Sequence, residues 1–196
     1  MGYLHISNLY RPEAQDILLF RECYALEKIH GTSAHIKFTP AGIAFFSGGV
    51  SYASFVKLFD PDVLSTLYTD AELPIDVEVT IYGEAYGGSC QKMSSVYGKD
   101  LRFVVFDVQI GDIWLNVPNA EDVAHKLGLE FVHYQKINAT LDEIDNRRDL
   151  PSVQAQRNGV EGVVWSEGVV LRPLVELTKA NGKRLICSPA RHNRIT

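Results

Sequence analysis

Glu27-Lys28-Ile29-His30-Gly31-Thr32 sets a lysine amine, an imidazole and a hydroxyl around one glycine. An amine attacks phosphorus only with its lone pair free, so such a lysine needs desolvation or neighbouring positive charge. Gly31 would let the backbone approach a nucleotide closely. By itself the string also describes a surface lysine at a glycine turn.

Further segments carry chemical groups in a spaced order. Ile81-Tyr82-Gly83-Glu84-Ala85-Tyr86-Gly87-Gly88 runs an alternating strand into a carboxylate flanked by glycines. Glu84 could hold a ribose hydroxyl or a metal-bound water, or simply end a hairpin. In Phe103-Val104-Val105-Phe106-Asp107-Val108, Phe106 could stack on a purine or belong to the core. Asp107 in that apolar strand requires a partner. In Glu167-Gly168-Val169-Val170-Leu171-Arg172-Pro173, Glu167 could take a metal ion and Arg172 could grip a phosphate bidentately. Glu161-Gly162-Val163-Val164 nearly repeats this segment, but only Glu167 leads into Leu171-Arg172-Pro173. From Lys179 onward the cations Lys179, Lys183, Arg184, Arg191 and Arg194 meet no acid, which suits either phosphate or a solvated tail.

The elements that must position these groups are read from periodicity. Ala34 to Phe46 reads as strand with a turn at Pro40-Ala41-Gly42. Phe55 to Tyr68 is apolar at helical spacing and interrupted at Pro61. Asp76 to Tyr82 alternates as a half-buried strand with Val77, Val79 and Ile81 on one face. Leu101 to Val108 and Ile110 to Leu115 form a strand pair turning near Gly111-Asp112. Ala120 to Leu127 is a helix with Asn119 as N-cap and Gly128 as stop. Leu141 to Arg148 is a second, with Thr140 and Glu143 as a capping box. Val160 to Leu171 reads as a buried hairpin or two short strands, and Arg184 to Cys187 as a last strand. Strands outnumber helices and are joined by short turns, which gives an α+β fold with largely antiparallel sheets.

Composition narrows the class. The 196 residues, 46% hydrophobic and 22% charged, suit one soluble domain over 1–196 with a sizeable core. No apolar run approaches the roughly 18 residues of a membrane helix, and the start lacks the pattern of a signal peptide. Cys23, Cys90 and Cys187 have neither disulfide nor metal spacing, which points to a reducing, cytoplasmic setting. A net charge of −5 excludes a non-specific nucleic-acid coat, but not an enzyme with a local basic groove.

From Leu26 to about Ile186 the segments together resemble the nucleotidyltransferase superfamily of covalent ligases and capping enzymes. Lys28-Ile29-His30-Gly31-Thr32 matches motif I, Tyr82-Gly83-Glu84 motif III, Val105-Phe106-Asp107 motif IIIa, and Glu167 to Pro173 motif IV. The likeness is to the ATP-dependent RNA ligase family of phage RNA-repair and trypanosome editing ligases. His30 discriminates, because DNA ligases and capping enzymes usually carry Asp there. The resemblance implies two packed, largely antiparallel sheets with flanking helices, the ATP-grasp-like nucleotidyltransferase domain of ligases.

It further implies that Lys28 attacks the α-phosphate of ATP, that AMP passes to a 5′-phosphate, and that a 3′-hydroxyl seals the strand. Glu27 would read the adenine edge, Phe106 would stack on adenine, and Glu84 would hold the ribose. Ile29, Thr32 and Ser33 would line the nucleotide. Arg172 would meet phosphate, Glu167 would assist Mg2+, and His30 would act near the leaving pyrophosphate. The implied partners are ATP and RNA ends, nicked duplex or hybrid included, for a monomer off the membrane.

Three departures modify that expectation. Motif V carries two lysines one residue apart, and Ser188 and Ala190 stand at the matching positions. Losing two cations weakens stabilisation of the transferring phosphate, which puts adenylylation in question. Arg191, Arg194 or Lys183 could substitute only by a register shift. No cation follows motif I near Phe46-Ser47-Gly48-Gly49, and Lys57 is the nearest downstream. No C-terminal RNA-binding domain is expected within 1–196. The alternatives are a degenerate module that binds nucleotide without ligation, and a GTP-using capping-type nucleotidyltransferase.

Overall fold

Ten strands form two five-stranded sheets among residues 2–189, the part of the chain that the computed structural model describes. In chain order they are β1 (Ser7–Asn8), β2 (Glu22–Lys28), β3 (Thr32–Thr39), β4 (Gly42–Phe46), β5 (Val79–Gly87), β6 (Leu101–Ile110), β7 (Ile113–Trp114), β8 (Tyr134–Asn138), β9 (Gly168–Pro173) and β10 (Cys187–Ser188). The helices are α1 (Tyr52–Val56), α2 (Pro61–Asp70), α3 (Ser94–Tyr97), α4 (Val117–Lys126), α5 (Leu141–Arg148) and α6 (Val153–Arg157). The fold is α+β, with helices flanking the sheets. The chain divides into two compact units, one of His30–Val132 with the N-terminal tip, the other of Leu4–Ile29 with His133 onward.

The unit of Leu4–Ile29 and His133 onward carries the sheet β1-β10-β9-β2-β8. Its pairs are antiparallel except β1 with β10. Cys23 and Ala25 of β2, Ile137 of β8 and Val169 and Leu171 of β9 pack with Leu9, Ile17 and Ile144 into its core. α5 begins as its sequence predicts: Thr140 accepts a hydrogen bond from the Glu143 amide at 3.4 Å. Glu143 does not return to the cap, because its carboxylate takes the Asn138 amide at 2.9 Å.

The His30–Val132 unit carries the sheet β4-β3-β5-β6-β7, antiparallel throughout. The turn between β3 and β4 falls at the expected Pro40-Ala41. Pro61 starts a helix rather than interrupting one. It occupies the first turn of α2, where its missing N–H costs nothing, and Asp60 caps the Asp62 and Val63 amides at 2.9 and 3.3 Å. Phe55, Phe59, Phe45 and Phe103 cluster beside β3 and β5.

Four expectations are corrected. The strand read over Asp76 to Tyr82 begins only at Val79 and runs on to Gly87, so Val77 stays exposed. The α4 cap is Asn116, which accepts from the Asn119 amide at 3.0 Å. Pro118 then lies within the first turn, where proline is tolerated. The valine-rich Val160 to Leu171 is not a buried hairpin. Only β9 forms there, and Val163 and Trp165 are exposed, with a single bridge from Trp165 to Pro151. Among the described residues the last strand is Cys187–Ser188, which shares only Cys187 with the expected Arg184 to Cys187.

Candidate active site

β2 is a central strand, and its partner β9 carries the Glu167 segment. The register sets Lys28 opposite Gly168, Glu27 opposite Val169 and Tyr24 opposite Arg172. A strand edge thus brings together two segments 139 residues apart in sequence. Lys28 Nζ donates to Glu167 Oε1 in an ion pair about a third exposed on each side. Both groups are fixed at the base by the sheet and reachable at the tip.

Successive strand residues point to opposite faces, so Glu27 turns away from Lys28 and lies with Cys23 and Ala25. It is 9% exposed. Its carboxylate accepts the Ser152 hydroxyl at 2.5 Å, the Val153 amide at 3.1 Å and the Gln154 amide at 3.2 Å. These donors are the cap and first amides of α6. Burial pushes the Glu27 carboxyl up, against the lowering by the Ser152, Gln154 and Val153 bonds. The carboxylate expected at an adenine edge therefore ties β2 to α6.

Arg172 lies deep in this sheet. It is 1% exposed, four residues along the ladder from Lys28 or about 13 Å at ~3.3 Å per residue. Its Nε donates to Glu176 at 2.8 Å, and Arg184 Nη2 reaches the other oxygen of Glu176 at 2.6 Å. Ser188, expected at the first motif V position, lies in β10 beside β9 and donates its hydroxyl to the Val169 carbonyl at 2.7 Å. Ala190, Arg191 and Arg194 lie outside the described residues.

Ile29, buried at 7% exposure, ends the Leu4–Ile29 segment, and the remaining candidates lie in the His30–Val132 unit. The His30 amide donates to Tyr97 Oη at 3.2 Å. Gly31 is required by close approach, since a Cβ there would stand 2.3 Å from the Ala85 carbonyl oxygen and 2.9 Å from Glu84 Cγ. Thr32 pairs with Ala85, and Ser33 with Glu84. Thr32 Oγ1 accepts the Gly49 amide at 2.9 Å, and Ser33 Oγ the Tyr3 amide at 3.4 Å. The β3–β5 ladder so brings Thr32, Ser33 and Glu84 together beside Gly31.

β6 carries a bulge. Tyr82 faces Asp107 and Gly83 faces Val105, which leaves Phe106 as the extra residue. A bulge re-aims a side chain, and Phe106 meets the edge of Tyr3 at 4.8 Å between ring centres. Asp107 finds the partner its sequence demands: Tyr3 Oη donates to it at 2.5 Å, and the Val108 amide at 3.0 Å. Tyr3, Tyr97 and Ser152 escaped the sequence reading because each acts through a contact distant in the chain. Among the described residues no group of three or more His, Cys, Asp or Glu could cage a metal, and no helix is long and apolar enough to cross a membrane.

Residues 21–186 match the family model described as RNA ligase, which covers most of the chain. The chain belongs to the RNA ligase family. This RNA ligase family member is also similar in fold to solved structures of Naegleria gruberi RNA ligase. A mutant of that enzyme with AMP and Mn superposes at a TM-score of 0.70 and 14% identity, covering 97% of this chain and 56% of that one. A second mutant with ATP and Mn gives 0.69, 14%, 98% and 56%. The same ligase with pyrophosphate gives 0.68, 15%, 97% and 56%. The chain thus spans little more than half the length of these ligases. No curated protein matches it. At such identity the likeness speaks for the fold, which is the two-sheet nucleotidyltransferase arrangement.

Proposed function

We propose that this RNA ligase family member is an ATP-dependent adenylyltransferase that activates RNA 5′-phosphate ends for joining to 3′-hydroxyls. The observation that carries the reading is the Lys28–Glu167 pair at the head of the β2–β9 ladder. In the first step the Lys28 Nζ lone pair forms an N–P bond to the α-phosphorus of ATP. The bond from the α-phosphorus to the α–β bridging oxygen breaks, pyrophosphate leaves, and the amine loses a proton to solvent. An RNA 5′-phosphate oxygen then attacks the same phosphorus and frees Lys28. A 3′-hydroxyl finally displaces AMP.

Lys28 cannot attack while its ammonium is held by Glu167, so the pair must separate as the reaction starts. A carboxylate that lets go of an ammonium is suited to a divalent cation. Mg2+ is held through one or two carboxylates plus substrate phosphates rather than a protein cage, and Glu167 with no caging cluster fits that pattern. Bound there, Mg2+ would neutralise phosphate charge in the transfer. His30, two residues after Lys28 in the chain, is assigned to the pyrophosphate side. Thr32, Ser33 and Glu84 are assigned to the sugar and phosphates, Phe106 to the adenine face, and Ile29 to the wall beside Lys28. Glu27 is a positioning residue: it anchors the strand that presents Lys28. Incubation with α-labelled ATP and Mg2+ should transfer label to the protein, and Lys28→Ala should abolish it.

One observation favours a second reading. Ser188 spends its hydroxyl on Val169 and offers no charge at the first motif V position. A chain lacking cations there would bind ATP without transferring AMP. Binding without labelling, with labelling gained by Ser188→Lys and Ala190→Lys together, would select that reading.

A further inference from the structure

Beside Thr32 the His30–Val132 unit carries an open pocket of about 350 Å³. Thr32, Ser51, Ser54, Ser89, Gln91 and Lys99 supply its polar wall, and Lys99 is its sole charged lining residue. No carboxylate and no aromatic ring lines it. The Lys99 ammonium forms no ion pair among the described residues.

The chain is bent sharply to build this wall. Gly87, Gly88 and Gly98 have positive φ, and so do Gln91 and Lys92 at 50° and 60°, where side-chain-bearing residues rarely sit. Such conformations persist only where surrounding structure imposes them, and they cluster at binding sites. Here the imposing contacts are local. The Gly88 amide donates to the Gly98 carbonyl at 3.0 Å, and a Cβ on Gly88 would stand 3.3 Å from the Lys99 carbonyl oxygen. The 88–98 loop so closes on itself and returns Lys99 to the mouth beside Thr32. Thr32 in turn holds the Gly48-Gly49 loop through its bond from the Gly49 amide.

A pocket whose one charged lining residue is a lysine, set among hydroxyls and an amide with no acid and no ring in its lining, recognises a phosphate. We propose that this cavity is a phosphate subsite with Lys99 as its cation, taking either the 5′-phosphate of a polynucleotide strand or a free oligophosphate. It deepens the ligase reading and rests on it only for the strand as a source of phosphate. It also answers the missing cation after Gly48-Gly49: Lys57 is exposed beyond α1 and does not line the cavity, whereas Lys99 does.

The test uses the whole chain and three probes: a 5′-phosphorylated RNA 12-mer, the same strand with a 5′-hydroxyl, and inorganic pyrophosphate. Affinity is measured by fluorescence anisotropy for the strands and by calorimetry for pyrophosphate, across salt concentrations. Lys99→Ala should weaken the phosphorylated probe it serves about tenfold, and lower the salt slope by about 0.7 for the strand. Lys99→Arg should restore most of the affinity. Ser54→Phe, which keeps the lysine but fills the cavity, should weaken binding like Lys99→Ala. Loss confined to the 5′-phosphorylated strand identifies the strand end as the source, and loss confined to pyrophosphate identifies the free oligophosphate. Unchanged affinity for both in Lys99→Ala, or equal loss for the 5′-hydroxyl strand, overturns the proposal. Labelling of Lys28 by ATP is read in parallel. A labelled Lys99→Ala with unaltered phosphate affinity fails the subsite alone, and an unlabelled wild type fails the ligase reading alone.

Discussion

Lys28 and Glu167 are joined by an ion pair where β2 and β9 run antiparallel, Lys28 opposite Gly168 and Glu167 one residue before it. The pair is about one-third exposed, so it adds little to folding, under about 1 kcal/mol. Its weight should fall on chemistry. Glu167→Ala is expected to slow adenylylation about a hundredfold while shifting the unfolding midpoint in denaturant only slightly. Rapid-quench labelling set beside a urea titration checks both halves of that expectation.

Arg172 should behave in the opposite way. It is buried with Glu176, so truncation to Ala leaves a carboxylate short of one of its two arginines. The expected cost is about 3 kcal/mol, at the low end for a broken buried pair because Arg184 remains. The fraction of Arg172→Ala that stays folded should adenylylate at the wild-type rate. A wild-type unfolding curve with a slower rate would return Arg172 to phosphate binding.

Ser152 links Glu27 to α6 twice over, donating to the carboxylate and accepting the Ala155 amide at 3.0 Å. Ser152→Ala removes a cap and strips a buried carboxylate of a donor, at an expected cost of about 2 kcal/mol. Because burial raises the Glu27 carboxyl, the folded chain keeps that proton to higher pH than the unfolded chain. The Glu27 contribution to stability therefore declines as pH rises from about 4.5 through the raised value. Glu27→Gln should remove that decline in pH-resolved denaturant titrations.

His35 has the reverse pH signature. It is 7% exposed and stacked on Phe46 at 4.9 Å, and Nδ1 has no hydrogen-bond partner among the described residues. Burial, helped by the nearby Lys37, pushes its imidazole down to about 4. The unfolded chain takes up the proton first as pH falls, so stability is lost between about 6.5 and about 4. The loss is at most about 3 kcal/mol. His35→Phe should flatten thermal stability over that window. An unchanged acid slope would contradict the assignment.

Local chemistry was legible where a short segment decides its own structure. Thr140 before Leu141 and Pro40-Ala41 between two β-rich runs each carry their start or turn within four residues. The motif order was legible as well, because Lys28 and Glu167 need only share a strand pair to meet. What stayed hidden depends on distant partners. Glu27 looks available until α6, about 125 residues later, presents Ser152. Nothing near Arg172 in the sequence announces that it shares Glu176 with Arg184. The valines around Trp165 resemble a buried strand, but no neighbouring strand covers Val163. The bulge at Phe106 arises from the pairing of β5 with β6 and has no signal in either strand alone.

The central claim is that Lys28 becomes covalently adenylylated. Incubating the chain with α-labelled ATP and Mg2+, followed by digestion and mass spectrometry, should find AMP on the Lys28 peptide. Lys28→Ala should carry none. An unlabelled wild type, or label on any other residue, would contradict the account.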